Sequence, residues 1–445
     1  MSQEWLFMSA SELGRGIDHS EIDPLRLTEV YLAAIDGHNL RDRIYTVVTH
    51  DRALTEAGAA AERARAGQRL GLLDGVPISW KDLFDSAGVA TEAGTGYLKG
   101  RVPTRDAVVL DNATKAGLVC LGKTHMSELA FSGLGYNPVT ETPPCVNDAE
   151  AVPGGSSSGA ATSVAFGLAA CGIGSDTGGS VRIPSAWNDL VGLKTTHGLL
   201  SLEGVVPLCE TFDTVGPLCR SVEDAAHMLA ALSGDKVADL TSAGLQGKRL
   251  LVETGTGMQD LRDNVRDGFE AAIARLQEAG AIIKRAEIPD VTAAMPLSAC
   301  LFTVDAYAKW QGVIEADPGL MFSEILERFR AGANFSGVDY VKGWMQLRDL
   351  RKSYLAGVAE YDAVVVPTSP IMPPNVKRLA ADHDYYVTEN LLALRNTRIG
   401  NLMGLAGLSL PSGTPSVGIM LLANPLAEAR LLRLGAAAEA ALVVD

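Results

Sequence analysis

The apolar residues of this chain alternate between a helical period and short unbroken runs. Over 264–279, Val265, Phe269, Ala272 and Leu276 share one face of a 3.6-residue repeat, which predicts an amphipathic helix. Near the start, Asp23-Pro24 supplies an N-cap and a first-turn proline, and Leu27, Val30, Tyr31 and Ala34 follow at helical spacing. An alanine-rich helix is expected over 52–66, stopped by Gly67, and another over 160–167. Between the helical segments stand runs without a polar face: VPISW after Gly75, KRLLVET at 248–254, YDAVVVP at 361–367, and 408–411. Together with 281–288 and the end of 107–122, these read as strands, the fully apolar ones buried on both sides. Residues 1–66 and 290–360 read as helical, the latter carrying Trp310, Met321, Phe322, Tyr340 and Trp344 as candidate liners of an apolar pocket. Strands alternating with helices predict an α/β protein, with helices on both faces of a largely buried sheet. No internal repeat or long linker divides the chain, so 1–445 is read as a single domain.

Composition narrows the class. Of 445 residues, 47% are hydrophobic and 20% charged, as in ordinary globular proteins. A net charge of −15 argues against nucleic acid as a direct ligand, because phosphate binding needs a basic face. The six cysteines lack paired Cys/His spacing, which fits a reduced cytoplasmic protein rather than a disulfide scaffold or zinc site. The start, MSQEWLFMSASELG, has neither the basic residues nor the apolar core of a secretory signal, and no segment reads as a membrane span.

One stretch departs from that ordinary composition. Residues 152–184 contain two glycine–serine turns, GGSSSG and DTGGS, and no charge falls between Val152 and Ser175. Such backbone can approach a ligand closely and aim N–H groups and hydroxyls at it. Ser180 ends D-T-G-G-S, where successive amides can converge as an oxyanion hole; alone, the motif reads first as a glycine turn linking a strand to a helix. Ser156 lies at the mouth of the next helix, where an N-cap is the plain alternative. A phosphate cradle is disfavoured, since G-x-x-x-x-G-K-[ST] is absent. Upstream, Lys81 ends the apolar run in GVPISWKD. On a surface it would be an ordinary lysine; buried, desolvation would make it a neutral amine able to act as a base. His125, read as a helix-start residue, and His197, read as a loop residue, lie in no recognised catalytic motif.

In combination these pieces resemble the amidase signature family. The resemblance rests on GVPISWKD around Lys81, PGGSSSGA around Ser156 and GSDTGGSVRIPSAWNDLVGLK around Ser180, with 75 residues from Lys81 to Ser156 and 24 from Ser156 to Ser180. YDAVVVPTSP at 361–370 and NLMGLAGLSLP at 401–411 extend it over most of the chain. It implies a large twisted mixed β-sheet covered on both faces by α-helices, with a signature core near 73–220 and 290–360 capping the pocket. It also implies a Ser–Ser–Lys triad: Ser180 the nucleophile, Ser156 the proton bridge after a cis Gly155–Ser156 bond, and Lys81 the general base. The amides of Thr177, Gly178, Gly179 and Ser180 would hold the oxyanion, with Ser132, Gly133 and Ser156 touching substrate. Asp176 and Arg182 would form a buried pair fixing the turn. No cofactor or metal is implied. The partner would be a small amide, with neither nucleic acid nor membrane engaged and room for a homodimer.

Three segments depart from the family pattern: the C-terminal loop is shortened to SGTPSVGIM, KTTHG stands at 194–198, and Trp187-Asn188-Asp189 replaces a cysteine–glycine turn. These bear on pocket shape and so on substrate. The implied reaction is hydrolysis of a small carboxamide to a carboxylate and an amine or ammonia. The other readings are the glutaminase subunit of a tRNA-dependent amidotransferase and a catalytically inactive binding member.

Overall fold

Eleven strands join into one mixed sheet in this computed structural model, which describes residues 3–443. They are β1 (Tyr45–Val48), β2 (Pro77–Lys81), β3 (Val119–Thr124), β4 (Cys171–Asp176), β5 (Val191–Lys194) and β6 (Thr214–Cys219). The second half of the chain adds β7 (Arg249–Glu253), β8 (Ile282–Ala286), β9 (Ala363–Pro367), β10 (Ala406–Pro411) and β11 (Gly418–Ala423). Their spatial order is β1-β3-β2-β4-β6-β5-β10-β11-β9-β7-β8. β3, β2 and β4 run parallel, as do β9, β7 and β8, while the strands between them pair antiparallel.

Every residue of β2, β3, β4, β6, β9 and β11 is buried, so both faces of the sheet are covered. Helix His50–Arg65 packs on β3, Ser158–Ala165 on β2 and β4, Val222–Ser233 on β6, and Glu428–Leu442 on β10 and β11. Helix Asp263–Glu278 buries the expected stripe of Val265, Phe269, Ala272 and Leu276. Asp23 caps helix Pro24–Gly37 by accepting from the Arg26 amide, with Pro24 in the first turn. The edge strand β8 is mostly exposed, and Lys284 and Arg285 discourage further pairing there.

Several expectations are corrected. The first 66 residues are not all helical, because YTVV forms β1 beside β3. His125 starts no helix; it follows β3, and its ring Nε2 lies 3.2 Å from the Asp42 carbonyl. The 290–360 region is helical, but its large aromatics are largely core. Trp310 Nε1 donates to the Pro207 carbonyl (2.9 Å), and Trp344 stacks on Phe212 with ring centroids 5.0 Å apart. Among the described residues no helix is long and apolar enough to cross a membrane.

Candidate active site

Strand β2 fixes where Lys81 points. Alternation along a strand puts Ser79 and Lys81 on one face, and Ser79 Oγ meets Ser163 Oγ of helix Ser158–Ala165 at 2.8 Å. Lys81 therefore projects toward the loop that enters this helix. Its Nζ lies 2.6 Å from Ser156 Oγ and 2.8 Å from Ser175 Oγ, with the side chain fully buried. Burial lowers the amine from its ordinary 10.5 to about 7, against the opposing pull of the Asp176 and Asp213 charges.

The Ser156 turn is held by the neighbouring loop. The Gly155 amide donates to the Gly133 carbonyl (2.8 Å), that of Gly154 to the Leu134 carbonyl (3.1 Å), and that of Ser127 to the Ser156 carbonyl (3.1 Å). A Cβ on Gly155 would come within 2.5 Å of the Gly135 nitrogen, so no side chain fits there. The Gly155–Ser156 peptide bond is cis. Ser132 and Gly133, expected at the substrate, are tied to Asn390. The Ser132 hydroxyl (3.2 Å) and the Gly133 amide (2.9 Å) donate to Asn390 Oδ1, while Tyr386 Oη donates to Ser132 Oγ (3.1 Å).

Ser180 follows β4 on a turn locked from beneath. Asp176 Oδ1 accepts from the Gly179 amide (2.9 Å) and Oδ2 from the Val181 amide (3.1 Å). Arg182 donates from Nε (3.0 Å) and Nη2 (2.8 Å) to the same carboxylate, both side chains being fully buried as expected of the pair. Arg182 reaches on to the Thr397 carbonyl (2.7 Å) and Asn401 Oδ1 (2.6 Å), and Asn401 Nδ2 donates back to Asp176 (2.9 Å). Burial opposes ionisation of Asp176, but the Arg182 charge and hydrogen bonds outweigh it and hold the carboxyl well below the usual range. Gly179 sits at φ +143°, and a Cβ there would strike Thr397 Oγ1.

Of the four amides expected to form an oxyanion hole, Gly179's is thus already committed to Asp176. Those of Thr177, Gly178 and Ser180 have no partner among the described residues. Ser180 Oγ likewise makes no hydrogen bond, to Ser156 or elsewhere, and it is not sealed from solvent. The two serines are joined through backbone: the Ser157 amide donates to the Ser180 carbonyl at 3.2 Å. Replacing Asp176 by alanine is expected to cost about 3–5 kcal/mol of unfolding free energy, since Arg182 would stay buried without its counter-charge. Denaturant titration reads this, and a loss below about 1 kcal/mol would show that the pair does not hold the fold together.

Two contributors escaped the sequence reading. Ser175, the second hydroxyl on Lys81, precedes Asp176 in β4 and was visible only as part of the GSDTGGS string. Asp213 accepts from the Thr177 hydroxyl (2.5 Å) and from the amides of Leu208 (2.9 Å) and Cys209 (3.0 Å). Burial pushes its carboxyl up to about 6, against those hydrogen bonds. Its sequence signal was one acid just before the TVGPLC strand.

Comparison with protein families matches residues 26–432 to the amidase family. The 2-amino-5-chloromuconic acid deaminase of Comamonas testosteroni is 34% identical to this chain over 97% of each. The A-type subunit of the glutamyl-tRNA(Gln) amidotransferase of Alkalilimnicola ehrlichii is 30% identical over 96% of each. Among solved structures, the native peptide amidase from Stenotrophomonas maltophilia superposes with a TM-score of 0.82 at 27% identity, over 98% of this chain and 97% of that one. A match of this extent takes in the lysine strand and both serine turns, and the chain belongs to the amidase signature family of enzymes that hydrolyse carbon–nitrogen bonds.

Proposed function

We propose that this enzyme hydrolyses a small carboxamide through Lys81, Ser156 and Ser180, releasing a carboxylate and ammonia or an amine. The observation that carries the reading is a fully buried lysine, lowered to about 7, in contact with Ser156, whose neighbour Ser157 donates its amide to the carbonyl of Ser180, the residue with the unpaired hydroxyl. Ser180 Oγ attacks the amide carbon, and its proton passes to Ser156 Oγ as Ser156 gives its own to neutral Lys81. The carbonyl oxygen becomes the oxyanion, facing the free amides of Thr177, Gly178 and Ser180. Collapse of the tetrahedral species breaks the C–N bond, the leaving amine takes a proton back through Ser156, and an ester to Ser180 remains. Water then attacks this acyl-enzyme, giving its proton to Lys81, and the carboxylate leaves as Ser180 is reprotonated. The gap between the Ser156 and Ser180 hydroxyls closes by rotation of side chains once substrate is bound, as catalytic hydrogen bonds commonly tighten.

Six free, buried cysteines support a reducing, cytoplasmic setting. A second reading, glutamine hydrolysis inside a tRNA-dependent amidotransferase, draws on the Alkalilimnicola relative. One experiment separates the readings: ammonia release across a panel of primary amides, with fluorophosphonate labelling of the same preparation. Stoichiometric labelling at Ser180 and turnover of several amides is the expected result. Ammonia from glutamine alone would favour the second reading, and absence of labelling would exclude both.

A further inference from the structure

Beside the catalytic turn lies a cavity of about 440 Å³, walled by Phe131, Phe302, Phe335, Leu391 and two arginines, Arg328 and Arg398. Neither arginine has a hydrogen-bonding or ionic partner among the described residues. Their side chains make no hydrogen bond, and no carboxylate oxygen of the described residues comes within 4.0 Å of either guanidinium. Arg398 is 8% exposed, with Nε sealed and unsatisfied, while its Nη atoms, equally unpartnered, keep access to the cavity. Arg328 is partly buried, its Nη1 sealed and unsatisfied, and its Cζ lies 4.5 Å from the centroid of the Phe131 ring.

Other arginines of the region are satisfied. Arg351 donates to the carbonyls of Leu402 and Asn401, Arg395 pairs with Asp260, and Arg182 is bound by Asp176. Two acids also border the cavity, but Glu327 is exposed and Glu324 is paired with His383 at 2.8 Å. Two like charges therefore face one largely apolar space, and neither acid on its wall forms an ion pair with them. Burial, then the adjacent Arg328 charge, lowers Arg398 to about 9, which still leaves it cationic at neutral pH. Retaining such a charge is costly unless an anion completes the site.

The cavity adjoins the reacting centre. Arg398 follows Thr397, whose hydroxyl donates to the Gly178 carbonyl (2.7 Å), and a Cβ on Gly178 would lie 3.8 Å from Arg398 Cγ. Asn390, also on the cavity wall, holds the Ser132–Gly133 loop.

We infer that the substrate is an amide bearing a carboxylate at its far end, which Arg398 and Arg328 bind while a short apolar spacer lies between the aromatic walls. This rests on the amidase reading above. A guanidinium offers a carboxylate two parallel hydrogen bonds, and two guanidinium groups can grip both oxygens.

The test compares kcat/KM for the monoamides of malonic, succinic, glutaric and adipic acids with that for neutral alkanamides of equal carbon number. The wild-type enzyme is expected to favour at least one acid over its neutral counterpart by about 10²-fold, the order expected for a charge-assisted, bidentate contact. Arg398→Met should erase most of that ratio, Arg398→Lys should restore part of it, and Arg328→Met should reduce it. Inhibition of neutral-amide turnover by the parent dicarboxylates should weaken in parallel. A wild-type ratio near one overturns the inference whatever the variants do, and so does a preference that survives both methionine substitutions. Fluorophosphonate labelling of Ser180 in the same preparations keeps the readings apart. Labelled enzyme that hydrolyses neutral amides without acid preference leaves the amidase reading standing and removes only this one.

Discussion

Replacing Ser180 by alanine is expected to lower kcat by at least about 10⁴-fold while leaving the melting temperature within a few degrees of wild type. The loss follows from removing the atom that forms the acyl bond, a deletion other groups do not compensate. The near-neutral effect on stability follows from the local geometry. The Ser180 hydroxyl makes no hydrogen bond, and the turn is held by Asp176 and Arg182 through backbone amides that alanine retains. Single-turnover kinetics on the best amide, with a thermal melt of the same sample, measure both. Retention of more than about 1% of wild-type turnover would remove Ser180 from the nucleophile's role.

Lys81 carries the second large effect, and it is also visible in pH. Lys81→Met is expected to reduce kcat by about 10³–10⁴-fold, the range of a lost general base. In the wild-type enzyme the base works only when neutral. With the amine lowered to about 7, log(kcat/KM) should climb with unit slope below that pH and level off above it. A limb still rising beyond pH 9 would mean that Lys81 keeps an ordinary lysine's basicity or is not the base. The same burial gives stability a definite sign. The folded-state value lies below the unfolded 10.5, so between about 7 and 10.5 the unfolded chain binds more protons, and this group makes stability rise with pH. Lys194, buried against the Thr195 and Leu405 carbonyls and also lowered to about 7, acts in the same direction. Asp176 acts in the same direction over a lower range: its depressed value adds stability above the unfolded carboxylate range, which is lost as pH falls.

What the sequence disclosed follows the range of the physics involved. Lys81, Ser156 and Ser180 stand in short strings whose glycines, serines and apolar flanks have local meaning, so each string could be read alone and then joined by spacing. The strands of pure apolar character were equally plain. Those missed carry misleading residues: β6 contains Gly216-Pro217, which signals a turn, and β5 is only VGLK. The GIM that ends the apparent C-terminal loop opens β11, full partner of β10. Arg398 shows the limit best. It is one of several arginines on helical segments, and whether an arginine is paired depends on side chains far away along the chain. Arg395 finds Asp260 and Arg351 finds helix carbonyls, whereas Arg398 finds only the cavity.

Strand β10 has a consequence for how the molecule comes into being. It is tenth in sequence, yet it sits in the middle of the sheet and alone joins the six strands of residues 45–219 to the four strands beyond it. Lys194 must wait for the carbonyl of Leu405, 211 residues later, before that side of β5 is closed. A growing chain therefore carries an open, apolar strand edge over the 211 residues from Lys194 to Leu405, a pairing that forms slowly and invites wrong partners meanwhile. Thr397 and Asn401, which clasp the Ser180 turn, lie just ahead of this strand. The residues that lock the Ser180 turn and the strand that makes the sheet continuous are thus added in the same late stretch of synthesis.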